Sequence, residues 1–351
     1  MVWELRPLDT VFFRDSKPFS IGEETWADTI FPPFPPTIYG ALRTAWFSEN
    51  IKEFERLKSD NKLNSNEDPT KELKINNIFI KKGADFLFPM PRDVLQNKKQ
   101  ELKRLTVSEK RHLTSAGDMN LLLNPTNDIY SYENCWISEL DLIDYLNGDI
   151  SKFGRPIEEF FEFEPKIGIA RDRISHSSDE GKLYRVGMVR LKEDVKFCVD
   201  FEGLDIDKDL FKLGGEGRFV VVSKTKKRPD IPLPDIPDNN FLCYLSTPAI
   251  FNKGWLPNWN WIDEKRLIGT IPDTDIQIRL LTAAIGAAKF IGGFDMAKVQ
   301  PKPMYKAVPE GSVYYFKILS GNKDDLKRIH GRSISDIYPE QGLGICYIGR
   351  Y

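Results

Sequence analysis

The stretch Phe31-Pro-Pro-Phe-Pro-Pro36 constrains this 351-residue chain more than any other. Each proline lacks an N–H and drives its predecessor to extended geometry, so these residues cannot be helix. The run delivers the chain to Thr37, a good N-cap. From there Ile38, Ala41, Leu42, Ala45 and Trp46 recur at the spacing of a buried helical stripe. Tyr39, Arg43 and Thr44 fall off that stripe. Upstream, Trp3 to Phe13 reads as a strand broken at Pro7, followed by a polar turn over Arg14-Asp-Ser-Lys17-Pro18.

Downstream, residues 57–74 are polar and helix-breaking, which predicts a mobile surface loop. Ile75–Ile80 and Ala84–Phe88 predict a hairpin through Lys81-Lys82-Gly83. Residues 92–136 show little regular periodicity and read as an irregular insertion in the first domain. They carry a basic cluster, Lys98, Lys99, Lys103, Arg104, Lys110, Arg111 and His112, which is either a solvated surface or an RNA contact. Ser138 caps a short helix over 138–147. The period then switches to two, with Val195, Phe197, Val199 and Phe201 alternating with Lys196, Cys198 and Asp200. Leu183–Leu191 is the expected partner of that strand. The turn Leu213-Gly-Gly-Glu-Gly-Arg218 leads into a strand at Phe219–Val222.

A proline- and charge-rich segment, 224–238, reads as a stiff, extended linker. Beyond it lie strands at Phe241–Phe251, Ile276–Leu281 and Ser312–Leu319, a helix at Asp324–Ile329, and a glycine turn entering a last strand. The expectation is an α+β protein with antiparallel sheets, its domains at 1–223 and 239–351. No internal repeat shows at the residue level.

Lys and Arg total 50 against 52 Asp and Glu, a formal net charge of −2, which excludes a surface basic enough to coat nucleic acid or membrane everywhere. A local basic groove remains compatible. No apolar run has transmembrane length and no signal-peptide pattern opens the chain, so the expected location is cytoplasmic. Four scattered cysteines without a C-x-x-C pair argue against zinc and disulfides, and neither metal nor cofactor is expected. His112, His176 and His330 have no ligand spacing. No nucleophile elbow, Walker loop or dinucleotide loop occurs.

Glycine turns and arginines are what remains. The N–H groups of Gly214 and Gly215 could face a phosphate with the Arg218 fork beside them, or the glycines could simply supply positive φ. Gly292-Gly293 and Gly342-Leu-Gly344 read as turns. Strand periodicity puts Arg171 and Arg173 on one face, suited to a phosphate backbone or to a solvated ion pair. Trp255, Trp259 and Trp261 read as core or as an interface patch.

Several blocks resemble a known family. Asp9–Phe19 (DTVFFRDSKPF) and Phe31–Arg43 (FPPFPPTIYGALR) are similar to the N-terminal signature of the RAMP proteins that form the third subunit of the Cmr complex, the type III-B CRISPR effector. The likeness continues, in family order, through Gly168–Arg173, Gly181–Tyr184, Leu213–Arg218, Ile291–Asp295, Pro301–Pro303, Ala307–Phe316 and the glycine-rich Gly342-Leu-Gly344. It implies two ferredoxin-like (RRM-like) domains and a non-catalytic scaffold that caps the 5′ repeat-derived tag of the guide RNA (crRNA). It also implies two protein partners, the large polymerase-like Cas subunit and the adjacent backbone RAMP subunit. Arg14, Lys17, Thr37, Tyr39 and Arg43 would then face RNA or a partner, and Arg171, Arg173, Arg218 and the glycines Gly214, Gly215, Gly292, Gly293, Gly342 and Gly344 would approach phosphates. Tyr39, Tyr184 and Phe294 are candidate platforms for unstacked bases, core packing being the alternative for Phe294. A metal-independent RAMP endoribonuclease and a purely protein-binding linker stay open as other readings. Residues 37–49 hold no histidine for the first of these.

Overall fold

The computed structural model describes residues 2–14, 26–27, 29–97, 101–125, 129–131, 134–150, 154–171, 178–295 and 298–351, with backbone alone at 26–27, 129–131, 168–171 and 178–184. They form two compact units, both discontinuous. One comprises Met1–Gly83, Glu158–Lys227 and Phe290–Tyr305, the other Ala84–Ile157, Arg228–Lys289 and Lys306–Tyr351. The chain therefore interleaves its units where a linear division at 224–238 was expected. None of the described helices is long and apolar enough to cross a membrane.

The first unit carries, in chain order, β1 (Val2–Pro7), α1 (Pro35–Glu49), α2 (Ile51–Ser59), β2 (Lys74–Lys82), β3 (Phe161–Arg171), β4 (Ser178–Leu191), β5 (Val195–Glu202), β6 (Leu210–Lys212) and β7 (Phe219–Thr225). The sheet order is β2-β5-β1-β7-β6, antiparallel throughout. Strand β4 pairs with β3 and not with β5, correcting the expected partner of the alternating strand. The phenylalanine that opens the proline run explains where that run sits. The Phe31 ring lies 4.2 Å from Phe161 and 5.8 Å from Phe197 and closes an aromatic core.

Helix α1 starts three residues earlier than an N-cap at Thr37 predicts. Prolines occupy its first two positions, where their missing N–H groups would have had no helical partner anyway. Phe34 is the N-cap and makes no side-chain bond, and Thr37 sits in the first turn with its N–H on the Phe34 carbonyl at 2.9 Å. Ile38, Tyr39, Ala41, Leu42 and Ala45 are buried, so the apolar stripe is one residue wider than its periodicity suggested. Trp46 is only half-buried.

The stretch expected as a mobile loop is folded around a buried acid. Residues 51–59 are helix α2, and the turns that follow wrap Asp68, whose side chain is fully buried. Asp68 accepts from the Asn64 N–H at 2.9 Å and from the Thr70 N–H and hydroxyl at 2.9 and 2.6 Å. Arg43 supplies the counter-charge, donating to Asp68 at 2.7 Å, Asn64 at 2.8 Å and Thr70 at 2.7 Å.

The second unit is built on β8 (Asn240–Leu245), β9 (Gln277–Ala284), β10 (Val313–Ser320) and β11 (Ile345–Gly349), in the order β9-β10-β8-β11. This repeats the order β2-β5-β1-β7, again antiparallel. One face packs on Trp259, Phe316 and Phe241, with stacked ring centroids 5.0 and 5.2 Å apart. The opposite face is covered by residues from 84–157. Tyr244 donates to the Pro89 carbonyl at 2.6 Å, Tyr145 reaches both Asp93 oxygens at 2.9 Å, and Tyr315 donates to the same carboxylate. The 92–136 segment thus belongs to the second unit. Among its described residues it is strand-rich rather than irregular, with strands at Val94–Asn97, Leu102–Arg104, Thr106–Thr114 and Gly117–Leu123. Ser138 caps helix α3 (Glu139–Leu146) through a reciprocal capping box with Asp141.

Helices are fewer than two complete ferredoxin-like domains need. Among the described residues no helix joins β5 to β7, and the second unit's β10-to-β11 crossover holds two 3₁₀ turns, Lys323–Arg328 where a helix was expected and Pro339–Gln341. Residues 226–239 hold neither helix nor strand, and Ile231 and Ile236 within them are buried.

Two outcomes follow for stability. Asp68→Ala removes the buried partner of Arg43 and should cost about 3 kcal/mol, read by chemical denaturation. His330 accepts the Ile348 N–H on Nδ1 at 3.0 Å and meets the Ile231 carbonyl with Nε2 at 2.9 Å, so the ring is neutral with its proton on Nε2. Burial lowers its pKa below the ordinary 6.5, outweighing the bond to Ile231. Below pH 6.5 the unfolded chain takes up a proton that the folded ring refuses, so stability is complete above that pH and falls as pH drops toward the folded pKa. His330→Asn should flatten this acid-side loss in a series of melting temperatures against pH.

Candidate nucleic-acid interface

In the first unit one exposed carboxylate gathers three cations from distant segments. Asp9 follows β1, and its two oxygens meet Arg218 at 2.7 Å, Arg190 at 3.0 Å and Lys166 at 3.8 Å. Arg190 also donates to Glu164 at 2.6 Å, and those bonds raise its pKa further. A backbone bond from Thr10, joined by Arg190, Lys166 and Arg218, holds Asp9 below the usual carboxylate range against the opposing effect of burial. Lys166 and Arg190 keep 42% and 45% of their side chains exposed, whereas Arg218 keeps 19%. Three cations against Asp9 and Glu164 leave one positive charge in excess.

Beside the cluster, the Leu213–Arg218 turn is closed by the Leu213 N–H on the Arg218 carbonyl at 2.9 Å. Gly214 has φ +79° and approaches Phe12 so closely that a Cβ would lie 2.4 Å from its carbonyl oxygen. The glycine is therefore required for packing. Gly215 spends its N–H on that same carbonyl at 2.8 Å, while the turn 214–217 stands exposed.

A second feature of this unit is an open cavity of about 340 Å³ at the α1–α2 corner, lined among others by Arg43, Phe47, Phe54, Phe294 and Lys302. Asn50 makes the corner by turning its side-chain amide back to the Trp46 carbonyl at 3.0 Å. The Phe47 and Phe54 rings meet edge-on with centroids 5.2 Å apart. Phe294 is 51% exposed, not core, on the short strand that pairs with Gln300–Pro301.

Several sequence candidates have other work. Tyr39 is buried in the α1 stripe, Thr37 caps nothing, and all three guanidinium nitrogens of Arg43 are engaged. Gly342 and Gly344 are buried. Their N–H groups go to the Pro339 and Pro248 carbonyls at 3.2 and 2.7 Å, so neither donor is left for a phosphate. Gly292 and Gly293 flank the cavity through Phe294, and the Gly293 carbonyl takes the Lys302 N–H at 2.9 Å. Arg14 is exposed and bridges to Thr29. Arg171 ends β3 and Tyr184 lies on β4, with backbone alone described for both, and Lys17, Arg173 and His176 lie outside the described residues. Trp259 is core, with Trp255 and Trp261 packed against it, so the tryptophans form no exposed patch.

Sequence reasoning missed Asp9, Lys166 and Arg190 because their partners are far apart in the chain. Phe47, off the buried stripe of α1, and Phe54, on α2, carried a weak signal.

A family model described as CRISPR-associated protein (Cas_Cmr3) matches residues 3–351. No curated protein matches. Among solved structures, a chain of the type III-B Cmr-beta complex bound to cognate target RNA and AMPPnP is similar at a TM-score of 0.53 and 17% identity, covering 100% of this chain and 99% of that one. A chain of Cmr-beta bound to cognate target RNA gives 0.52 at 17% identity, covering 99% and 96%. At that identity the likeness is one of fold, a mixed, sheet-rich architecture with few helices. The family match runs unbroken from Trp3 to Tyr351, and the chain belongs to the Cmr3 family of CRISPR-associated proteins.

Proposed function

We propose that the chain is a subunit of a type III-B CRISPR effector that holds the 5′ repeat-derived tag of the guide RNA. On this reading it also bridges the large polymerase-like subunit to the adjacent backbone subunit and cleaves no RNA itself. The observation that carries the RNA half is the pair Lys166 and Arg190, both well exposed, with the half-buried Arg218 around Asp9, beside the turn at 214–217. Exposed ion pairs are weak, so a phosphate can take over the Arg190 fork at little cost. The cavity between Phe47, Phe54 and Phe294 supplies aromatic faces for an unstacked base in the same unit.

The repeated strand order supports reading the units as two divergent ferredoxin-like domains. A scaffold role is supported by His330, whose ring is committed to two backbone groups.

The test is binding of guide RNA, with its tag intact or scrambled, over a salt series. The intact tag should bind more tightly. Lys166→Gln with Arg190→Gln should make the salt dependence shallower by roughly 0.7 in log–log slope for each phosphate left without its cation. An unchanged slope would remove this cluster from the RNA site. Arg43→Ala should lower the melting temperature, because it leaves the Asp68 carboxylate buried without its counter-charge.

A further inference from the structure

The second unit holds a basic patch that the RNA reading does not use. Strands Thr106–Thr114 and Gly117–Leu123 form a hairpin. The Asp118 N–H donates to the Lys265 carbonyl at 3.0 Å, and Met119 enters the unit's core. A Cβ on Gly117 would stand 3.0 Å from that same Lys265 oxygen, so the hairpin is seated closely. Seating brings Arg111 under the influence of Arg266 and Arg279. Burial first, and then these two positive neighbours, lower its proton affinity against the pull of Asp118.

Arg279 on β9 stands directly opposite Lys317 on β10. Like charges facing each other across an antiparallel pair are destabilising. The local counter-charges are thin. Asp118 lies 3.3 Å from Arg111 and Asp263 lies 3.8 Å from Arg266. The Nε of Arg279 is buried without an acceptor among the described residues, which costs free energy, while Arg111 turns its Nε to the Asp118 carboxylate without a well-aligned hydrogen bond and donates from Nη2 to the Asp118 carbonyl. On the same hairpin Leu113 is 91% exposed, with Leu121 at 40% and Leu123 at 46%.

We propose that this patch docks an acidic protein segment, its carboxylates pairing with the part-exposed guanidinium ends of Arg111 and Arg279 and its aliphatic side chains covering Leu113. Charge complementarity calls for an anion, and bidentate carboxylate pairing suits arginine. The exposed leucines choose protein over RNA, because the two strands contain no Phe, Tyr or Trp on which a base could stack. The site lies within the second unit and is independent of the proposed RNA cluster.

The test uses the full chain and three labelled probes: a short glutamate–leucine peptide, its lysine-for-glutamate counterpart, and a single-stranded uridine RNA. The acidic peptide should bind and the basic one should not. Arg111→Gln with Arg279→Gln should weaken peptide binding by about tenfold or more, and Leu113→Ser by about threefold, while RNA affinity holds. The double variant should melt no lower than the parent, since it relieves repulsion. Absence of acidic-peptide binding, equal binding by the double variant, a matching loss in RNA affinity, or a lowered melting temperature would each overturn the proposal.

Discussion

Each unit depends on a central strand whose two neighbours come from far along the chain. Strand β1 is paired by Val195–Glu202 on one side and Phe219–Thr225 on the other, and β8 by Val313–Ser320 and Ile345–Gly349. A central strand left unpaired would leave its backbone donors and acceptors unsatisfied, so neither sheet is complete until its last strand arrives. The intervening segments are therefore excursions from a sheet whose ends are fixed. Closing them costs only slowly rising entropy, which lets them be long, but non-local pairing of this kind makes for slow folding. Functional surfaces can change in the excursions while the pairing of β1 and β8 stays the same.

Buried carboxylates decide which cations are available. Glu4 sits between Lys81 and Lys196, the latter at 2.7 Å. Burial opposes its charge, yet bonds from Lys196 and Lys81 keep it below the usual carboxylate range. Asp68 commits Arg43, and Asp93 lies 3.4 Å from Arg104 while taking two tyrosine hydroxyls. Breaking such buried pairs is costly, which assigns these cations to the fold. Asp9 differs because it keeps 46% of its side chain exposed and shares three cations at distances up to 3.8 Å. Its hold is screened by water and exchangeable for another anion. The near-zero net charge is thus compatible with an anion-binding surface.

What could be read from the sequence follows the same division. Local features were legible: the stripe of α1, the Ser138 cap, the alternation of β5 and the strands of the second half all rest on neighbours within a few residues. The features that failed rest on remote partners. Nothing near Arg43 announces Asp68, and nothing near residues 92–136 announces that Tyr145 and Tyr315 anchor that stretch to the second unit through Asp93. The tie of Asp9 to Lys166, Arg190 and Arg218 is of the same kind. Glycine turns were the most ambiguous signal, because Gly214 and Gly344 look alike in sequence. One stands on an exposed turn and the other is buried with its N–H on Pro248.

The repeated strand order was invisible at the residue level because alternation constrains polarity and not identity. The two sheets nonetheless fill the same crossover differently. After β1 the chain makes α1 and α2 and opens a cavity edged by Phe47 and Phe54, whereas after β8 it lays Trp259 into the core and forms no helix among the described residues. The second unit instead receives the 106–123 hairpin, which places Arg111 near Arg279 while Arg279 faces Lys317. A fold under selection for stability alone would have no reason to keep like charges opposed across β9 and β10 with the Arg279 Nε–H unsatisfied. Arg111 sits on the one segment that departs most from the shared strand plan, beside a like-charge pair on the shared sheet, and that is the physical ground for treating the hairpin as a second interaction surface.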